Sequence, residues 1–262
     1  RYNAGVDYSM SNFSDFIGSS GGGAALETVI LTKSQTWTPP VNGTGIIHVI
    51  GAGASGSADA NFKAGGAGGY SRKAVTFATG TNWTIVVGAG GLPTAVNVGV
   101  IAGGNSTAAD GSTSMLAYGG SVSSGLGGSA SGGDVNFTGG KGGGVVEGGG
   151  GGAVGVFANG STALSYSGGH TTDANGGADS FLVLGLGQLI GGSGGGSGGG
   201  HGGFLSGGGN NVYSQAGAHI TGGKGGIGGG GGMAYNTSGG SGTRTGGAGG
   251  DGLVVIQYLT VS

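Results

Sequence analysis

Gly222–Met233 reads GGK GGI GGG GGM, two glycines and one free position at a strict period of three. Period three is the repeat of a polyproline-II helix, which rises about 3.1 Å per residue and makes no internal hydrogen bonds. In that geometry Lys224, Ile227 and Met233 share one ridge, and the other two ridges are bare backbone. Bare ridges let neighbouring chains approach closely, so their N–H and C=O groups can bond between segments. The same pattern recurs at 65–70 (GGA GGY), 139–144 (GGK GGG), 199–204 (GGH GGF) and 246–251 (GGA GGD). The stretch predicts a bundle of polyglycine-II helices with side chains only on outer faces and at turns.

Composition narrows the alternatives. Glycine fills 78 of 262 positions, against an average usage of about 7%. Collagen is excluded because it needs proline at roughly 15–20%, and this chain has 3 prolines. Flexible low complexity is the competing reading. Against it stand a 35% hydrophobic content and strongly strand-like segments around the glycine runs. Charged residues make up 7% and the formal net charge is −2, so no basic surface for a nucleic-acid backbone is expected. With 0 cysteines, disulfides, thiolate metal sites and thiol catalysis drop out together. No apolar run approaches the ~18 residues of a membrane span, so no membrane insertion is expected. The start at Arg1 rather than methionine reads as a sign of processing.

Along the chain, residues 1–28 read as an N-terminal arm for attachment or assembly. Val29–Trp37 is a strand ended by Thr38-Pro39-Pro40, since proline cannot continue a central ladder. Gly45–Ile50 (GIIHVI) reads as a buried strand. Tyr70–Phe77 and Asn82–Val87 come next, joined by a short hairpin-like connection at Ala78–Thr81. Trp83, Ile85 and Val87 alternate to one face. Thr113–Ala117 is a weaker strand and Gly252–Leu259 (GLVVIQYL) a clear one. The expected fold is all-β. Residues 29–118 plus 252–262 form a small antiparallel β-sandwich, and 119–251 form an inserted bundle of polyglycine-II helices with loops.

Four segments richer in side chains break the glycine region and are its natural turns. They carry Phe157, Tyr166, His170, Asn210, Asn211, Tyr213, Tyr235 and Asn236. Loops on a rigid scaffold are where binding residues concentrate, and tyrosine and asparagine suit recognition surfaces. These eight are the candidate receptor-binding residues. The competing reading is that they cap the bundle and shield its ends.

Several patterns resemble chemistry without its context. Gly51–Gly56 (GAGASG) matches G-x-G-x-x-G after a strand, but the glycine-rich residues 57–69 will not hold the helix a dinucleotide site needs. Ser193 and Ser197 sit in G-x-S-x-G without the strand-to-helix turn or partners of a nucleophile elbow. Neither Lys141 nor Lys224 is followed by Ser or Thr, so neither makes a P-loop. Gly246–Val254 matches one calcium-binding nonapeptide with Asp251 as the would-be ligand; such sites form between tandem turns, so a single copy is a weak metal candidate. Asp251 is better read as the exit into the last strand. The four histidines show no metal-ligand spacing. No enzyme activity and no cofactor are expected. Seven N-x-S/T sequons occur, at Asn12, Asn42, Asn82, Asn105, Asn136, Asn159 and Asn236.

The ordered series Trp-Thr-Pro-Pro, the strand into Gly-x-Gly at Ile46–Gly53, GGAGGYSRKAV, NWTIVVGAGG, GGNSTAADGSTSML and GGAGGDGLVVIQYL spans Thr36 to Leu259. It resembles the glycine-rich domain of bacteriophage tail-fibre and other virion proteins. Ser9–Gly18 (SMSNFSDFIG) is also similar to the opening of some virion structural proteins. The resemblance implies an adhesin at a virion tail fibre, or otherwise extracellular, that binds a host cell-surface protein or glycan through loops on polyglycine-II helices. It also implies other virion or fibre subunits as partners, reached through Arg1–Ala25, and allows a homo-oligomer. The chain departs from long-tail-fibre tip adhesins in lacking their larger attachment domain and in carrying flanking strands. The alternatives are a purely structural subunit of a virion or extracellular filament and, less favoured, an ice-binding protein. Ice binding needs a ridge of small residues where this one carries Lys224, Ile227 and Met233.

Overall fold

The computed structural model describes residues 24–58, 64–95, 99–121, 125–143, 150–153, 159–160, 181–183, 187–189, 208, 211–213, 219–236 and 242–261. In chain order the strands are β1 (Ala24–Leu31), β2 (Gln35–Trp37), β3 (Gly43–Ile50), β4 (Tyr70–Phe77), β5 (Trp83–Val86), β6 (Ser106–Ala109), β7 (Ser114–Ala117), β8 (Ala130–Ser131) and β9 (Val135–Phe137). Short pieces come next as β10 (Phe181–Val183), β11 (Gly187–Leu189), β12 (Asn211–Tyr213), β13 (Ile220–Thr221), β14 (Ala234–Asn236) and β15 (Arg244–Thr245), before the long β16 (Leu253–Val261). The described residues are all-β, without a helix.

Two five-stranded sheets, ordered β1-β16-β3-β4-β9 and β2-β5-β6-β7-β8, are antiparallel at every pairing. Alternation along each strand sends one set of side chains between them. Ile47, Val49, Val254 and Ile256 of the first sheet meet Trp83, Ile85 and Met115 of the second in one buried cluster. Phe77 joins the layers, edge-on to Trp83 at 5.8 Å and to Trp37 at 5.2 Å between ring centroids. β16 is apolar without a break over Leu253–Ile256, where both its faces are covered. Its Leu253 and Val255 pack on the opposite side in a second cluster with Ile50, Tyr70, Ala153 and Ile227.

Two connections differ from the sequence reading. The strand expected over Val29–Trp37 is two strands in different sheets, β1 and β2, because the chain crosses the sandwich at residues 32–34. The turn at Ala78–Thr81 does form, with the Thr81 N–H donating to the Ala78 carbonyl at 3.1 Å and Gly80 at φ 84°. It is not a hairpin, because β4 pairs with β3 and β9 whereas β5 pairs with β2 and β6. Phe77 and Trp83 must enter the same core from opposite walls, which forces the crossover.

Beyond the strand ends the chain becomes glycine-rich and the two layers close on one another. Residues 51–58 leave β3 and bond outward in rotation. The N–H groups of Gly51, Ala52 and Gly53 donate to the carbonyls of Gly69, Gly104 and Gly250 at 2.9, 3.1 and 2.8 Å. Those of Ala54, Ser55 and Gly56 then donate to Gly66, Ile101 and Gly247, the same three neighbouring segments in the same order. Meanwhile the carbonyls of Ala52, Gly53 and Ala54 accept from Gly120, Gly91 and Gly231. Every residue from 51 to 58 is buried.

Glycine segments on either side of residue 119 interleave here, and they inherit the order of the sheets. Segments 246–250, 51–58, 64–69 and 139–143 lie side by side as β16, β3, β4 and β9 do. Segments 87–94, 99–105, 118–121 and 125–129 continue β5, β6, β7 and β8 in the same way. Sheets that face each other through side chains stand about 10 Å apart. Where side chains vanish the layers bond directly, as in Ala52 N–H to Gly104, Gly128 N–H to Ala67 and Gly246 N–H to Thr94. A third layer, with 150–153, 222–226 and 229–233, bonds on the other side through Gly151 to Gly65 and Gly231 to Ala54.

The stretch Gly222–Met233 is not one straight ridge. It runs out over 222–226, reverses at Ile227–Gly228 with Gly228 at φ 68°, and returns over 229–233, with Gly232 N–H donating to Gly223 O. Lys224 is exposed, Ile227 packs on the second cluster, and Met233 is fully buried. A period of three survives on both arms, but direction is decided by the one left-handed glycine between them.

Candidate functional site

Residue 51 adjoins the sandwich, so residues 56–58 lie at the far end of the glycine block. At about 3.1 Å per residue that end is about 20 Å or more from β3. Ala234 N–H donates to Ser57 O at 2.9 Å there, and β14 begins. β12 pairs with β14 in parallel, setting Asn211, Val212 and Tyr213 opposite Ala234, Tyr235 and Asn236. A second parallel pair, β13 with β15, lies next to it; its Thr245 bridges Ala95, and Gly246 N–H donates to Thr94 O at 2.8 Å. Parallel pairing needs a long crossover. Here the excursion along 222–226 and back along 229–233 supplies it, returning the chain to the same end of the block.

Four of the candidate binding residues, Asn211, Tyr213, Tyr235 and Asn236, therefore meet in one ribbon at the tip remote from the sandwich. Tyr235 is half-buried. Phe157, Tyr166, His170 and Asn210 lie outside the described residues, as does most of Arg1–Ala25. Ala24 and Ala25 themselves open β1 and pair with Val261 and Thr260.

A family model described as a glycine-rich domain matches residues 28–259. The chain belongs to the glycine-rich domain family. No curated protein matches it.

Other positions singled out in this glycine-rich domain have structural work. Segment 51–56, the G-x-G-x-x-G match, is the hydrogen-bonding centre of the block, which its modest glycine content did not signal. The Asp251 carboxylate accepts Gly90 N–H at 2.8 Å, and its carbonyl accepts Gly228 N–H at 2.8 Å. It thus ties the exit into β16 to two neighbouring segments, and among the described residues no group of three or more metal-binding side chains gathers. Five sequon asparagines use their side-chain carbonyls as acceptors, four of them tying together segments distant in sequence. Asn42 accepts from Thr79 N–H, Asn82 from the Thr38 hydroxyl, Asn105 from Gly119 N–H, Asn136 from Gly133 N–H and Asn159 from Thr138 N–H.

The sequence reading missed one buried polar group in the glycine-rich domain. His48 faces away from the main core between Tyr70 and Gln257. Its Nε2 lies 3.2 Å from Gln257 Oε1, an acceptor, so Nε2 carries the proton. Nδ1 then accepts from the Tyr70 hydroxyl at 2.8 Å. Burial lowers the His48 pKa to about 4, with the Arg72 charge acting in the same sense and the Gln257 bond opposing. Burial likewise raises the Tyr70 hydroxyl. The visible signal was a lone histidine inside the apolar run GIIHVI.

Proposed function

We propose that this chain is a receptor-binding phage virion protein, an adhesin that holds recognition loops away from its attachment end on a stiff glycine scaffold. The observation that carries the reading is the meeting of Asn211, Tyr213, Tyr235 and Asn236 at the end of the block farthest from the sandwich. The scaffold is proposed to be a bundle of polyglycine-II helices. The threefold rotation of donors along 51–56 supports this, because that helix has three residues per turn. Residues 1–28 would serve as the attachment arm to other virion or fibre subunits, and a host cell-surface protein or glycan would meet the tip. Rigid loops lose little conformational entropy on binding, which favours affinity.

Replacing Asn211 and Tyr213 together with alanine tests the site. Host-cell adsorption should be lost while the unfolding transition stays within a few degrees of the parent. Undiminished adsorption by the folded double variant would remove this tip as the receptor site. The competing reading, a structural subunit of a virion or extracellular filament, is separated by immunogold electron microscopy of the native source. Label confined to fibre tips favours the adhesin, and continuous label along a filament or shell favours the subunit.

A further inference from the structure

Arg244 lies in β15, in the ribbons at the tip, and the backbone around it is pinned on both sides. Ile220 N–H donates to Thr243 O at 2.9 Å and Gly222 N–H to Thr245 O at 2.8 Å, while Gly246 N–H donates to Thr94 O at 2.8 Å. In the parallel pair of β13 with β15, Arg244 stands opposite Ile220. Paired residues send their side chains to one face, and Ile220 is buried, so the Arg244 stem leaves on the buried side of its ribbon. Its Nε is enclosed and without a partner. Among the described residues the side chain has no hydrogen bond and no ion pair. The residue as a whole is half-exposed and neither Nη is enclosed, so both Nη groups meet solvent from a fixed stem. Lys73, by contrast, is paired with Asp134 at 3.1 Å. Along its own segment the next carboxylate is Asp251, about 20 Å away at the extended rise and already bonded to Gly90 N–H.

A guanidinium is always charged, and holding one partly buried without a partner costs stability that an outside anion restores. Two Nη–H groups side by side match the oxygens of a carboxylate or phosphate, and such charge-assisted bonds are roughly twice as strong as neutral ones. A stem already immobilised loses little further entropy on binding. The surroundings indicate what carries the anion. Of residues 211–213, 219–221, 234–236 and 243–245, all but Val212, Ile220 and Ala234 have a side chain able to form hydrogen bonds, and none is a carboxylate. Hydroxyl, amide and phenol groups around one isolated cation match a sugar chain that carries isolated anionic groups. We propose that Arg244 is an oxyanion subsite of the tip, taking a carboxylate or phosphate group of an acidic cell-surface glycan, a proposal that rests on the receptor-binding reading.

Arg1, Arg72 and Arg244 are the only arginines, so the arginine Nε–Hε region of a nitrogen-labelled chain's magnetic resonance spectrum is simple, and Arg244→Gln assigns its signal. The full chain is titrated with N-acetylneuraminic acid, a hexose phosphate, methyl glucoside and sodium chloride. The Arg244 signal should shift saturably with one or both acidic sugars, which separates carboxylate from phosphate, and not with methyl glucoside or with chloride at equal ionic strength. Arg244→Gln should lower host-cell adsorption by more than about tenfold, equivalent to about 1.4 kcal/mol, with an unchanged unfolding temperature. Arg244→Lys, charged but without the planar fork, should fall between. The proposal is overturned by an Arg244 signal that follows ionic strength alone, by an equal response to the neutral sugar, or by tighter saturation with an oligoglutamate peptide than with either acidic sugar. Unchanged adsorption by a folded Arg244→Gln variant that no longer binds the sugar overturns the glycan assignment, whereas unchanged adsorption by the Asn211 and Tyr213 double variant as well removes the receptor-binding reading itself.

Discussion

Replacing Gly53 with alanine should damage this protein far more than an ordinary glycine-to-alanine change. A Cβ on Gly53 would stand 2.9 Å from the Gly230 nitrogen and closer still to the Gly229 carbonyl, so backbone rather than a flexible side chain must yield. Overpacking of this kind costs about 1–3 kcal/mol. Two bonds share the residue, Gly53 N–H to Gly250 at 2.8 Å and Gly91 N–H to Gly53 O at 2.9 Å; straining them adds roughly 1 kcal/mol. The reduced freedom of the unfolded chain returns about 0.4–1 kcal/mol. The net loss is about 1–3.5 kcal/mol, and at the mid-range of about 2 kcal/mol a chain of this size loses roughly 4–8 °C in unfolding temperature. Gly80 provides the contrast. It has φ 84° and open space around its Cβ position, and asparagine tolerates that conformation, so Gly80→Asn should cost less than about 1 kcal/mol. Calorimetry or denaturant unfolding of both variants decides the matter. If Gly53→Ala unfolds within a degree or two of Gly80→Asn, the directly bonded packing of 51–58 against 229–232 is wrong.

Two further predictions concern buried polar groups. His48 has a folded pKa of about 4 against 6.5 unfolded, so between those values the unfolded chain binds the extra proton. The corresponding stability is complete above about pH 6.5 and is lost as the pH falls towards 4, by at most about 3 kcal/mol at about 1.4 kcal/mol per unit. Urea unfolding between pH 7 and 4 should show this slope, and His48→Gln should flatten it; an equal slope in the variant would assign the effect elsewhere. Trp83 is fully buried with its indole N–H unpartnered. Trp83→Phe should therefore cost far less than Trp83→Ala, about 1 against 3–5 kcal/mol, since phenylalanine keeps most of the packing and removes the unsatisfied donor. Equal losses in denaturant unfolding would contradict that account.

Much was legible in the residues because it is local. The apolar runs GIIHVI and GLVVIQYL, the strand-like YSRKAVTF, the alternation in NWTIVV and the stop at Pro39-Pro40 mark β3, β16, β4, β5 and the end of β2 within a few residues. The period of three in the glycine runs announced side-chain-free ridges able to approach closely. What glycine cannot encode is a partner. The bonds that build the block join Gly53 to Gly250 and Gly65 to Gly231, pairs distant in sequence and without side chains to specify one another. Their register is set instead by the sandwich, whose apolar strands fix the order that the glycine segments continue. Only that tertiary order put the unremarkable GAGASGSA at the centre and folded Gly222–Met233 back on itself. It also crossed Phe77 and Trp83 into opposite walls of one core and brought Asn211 and Tyr213 beside Tyr235 and Asn236 at the tip.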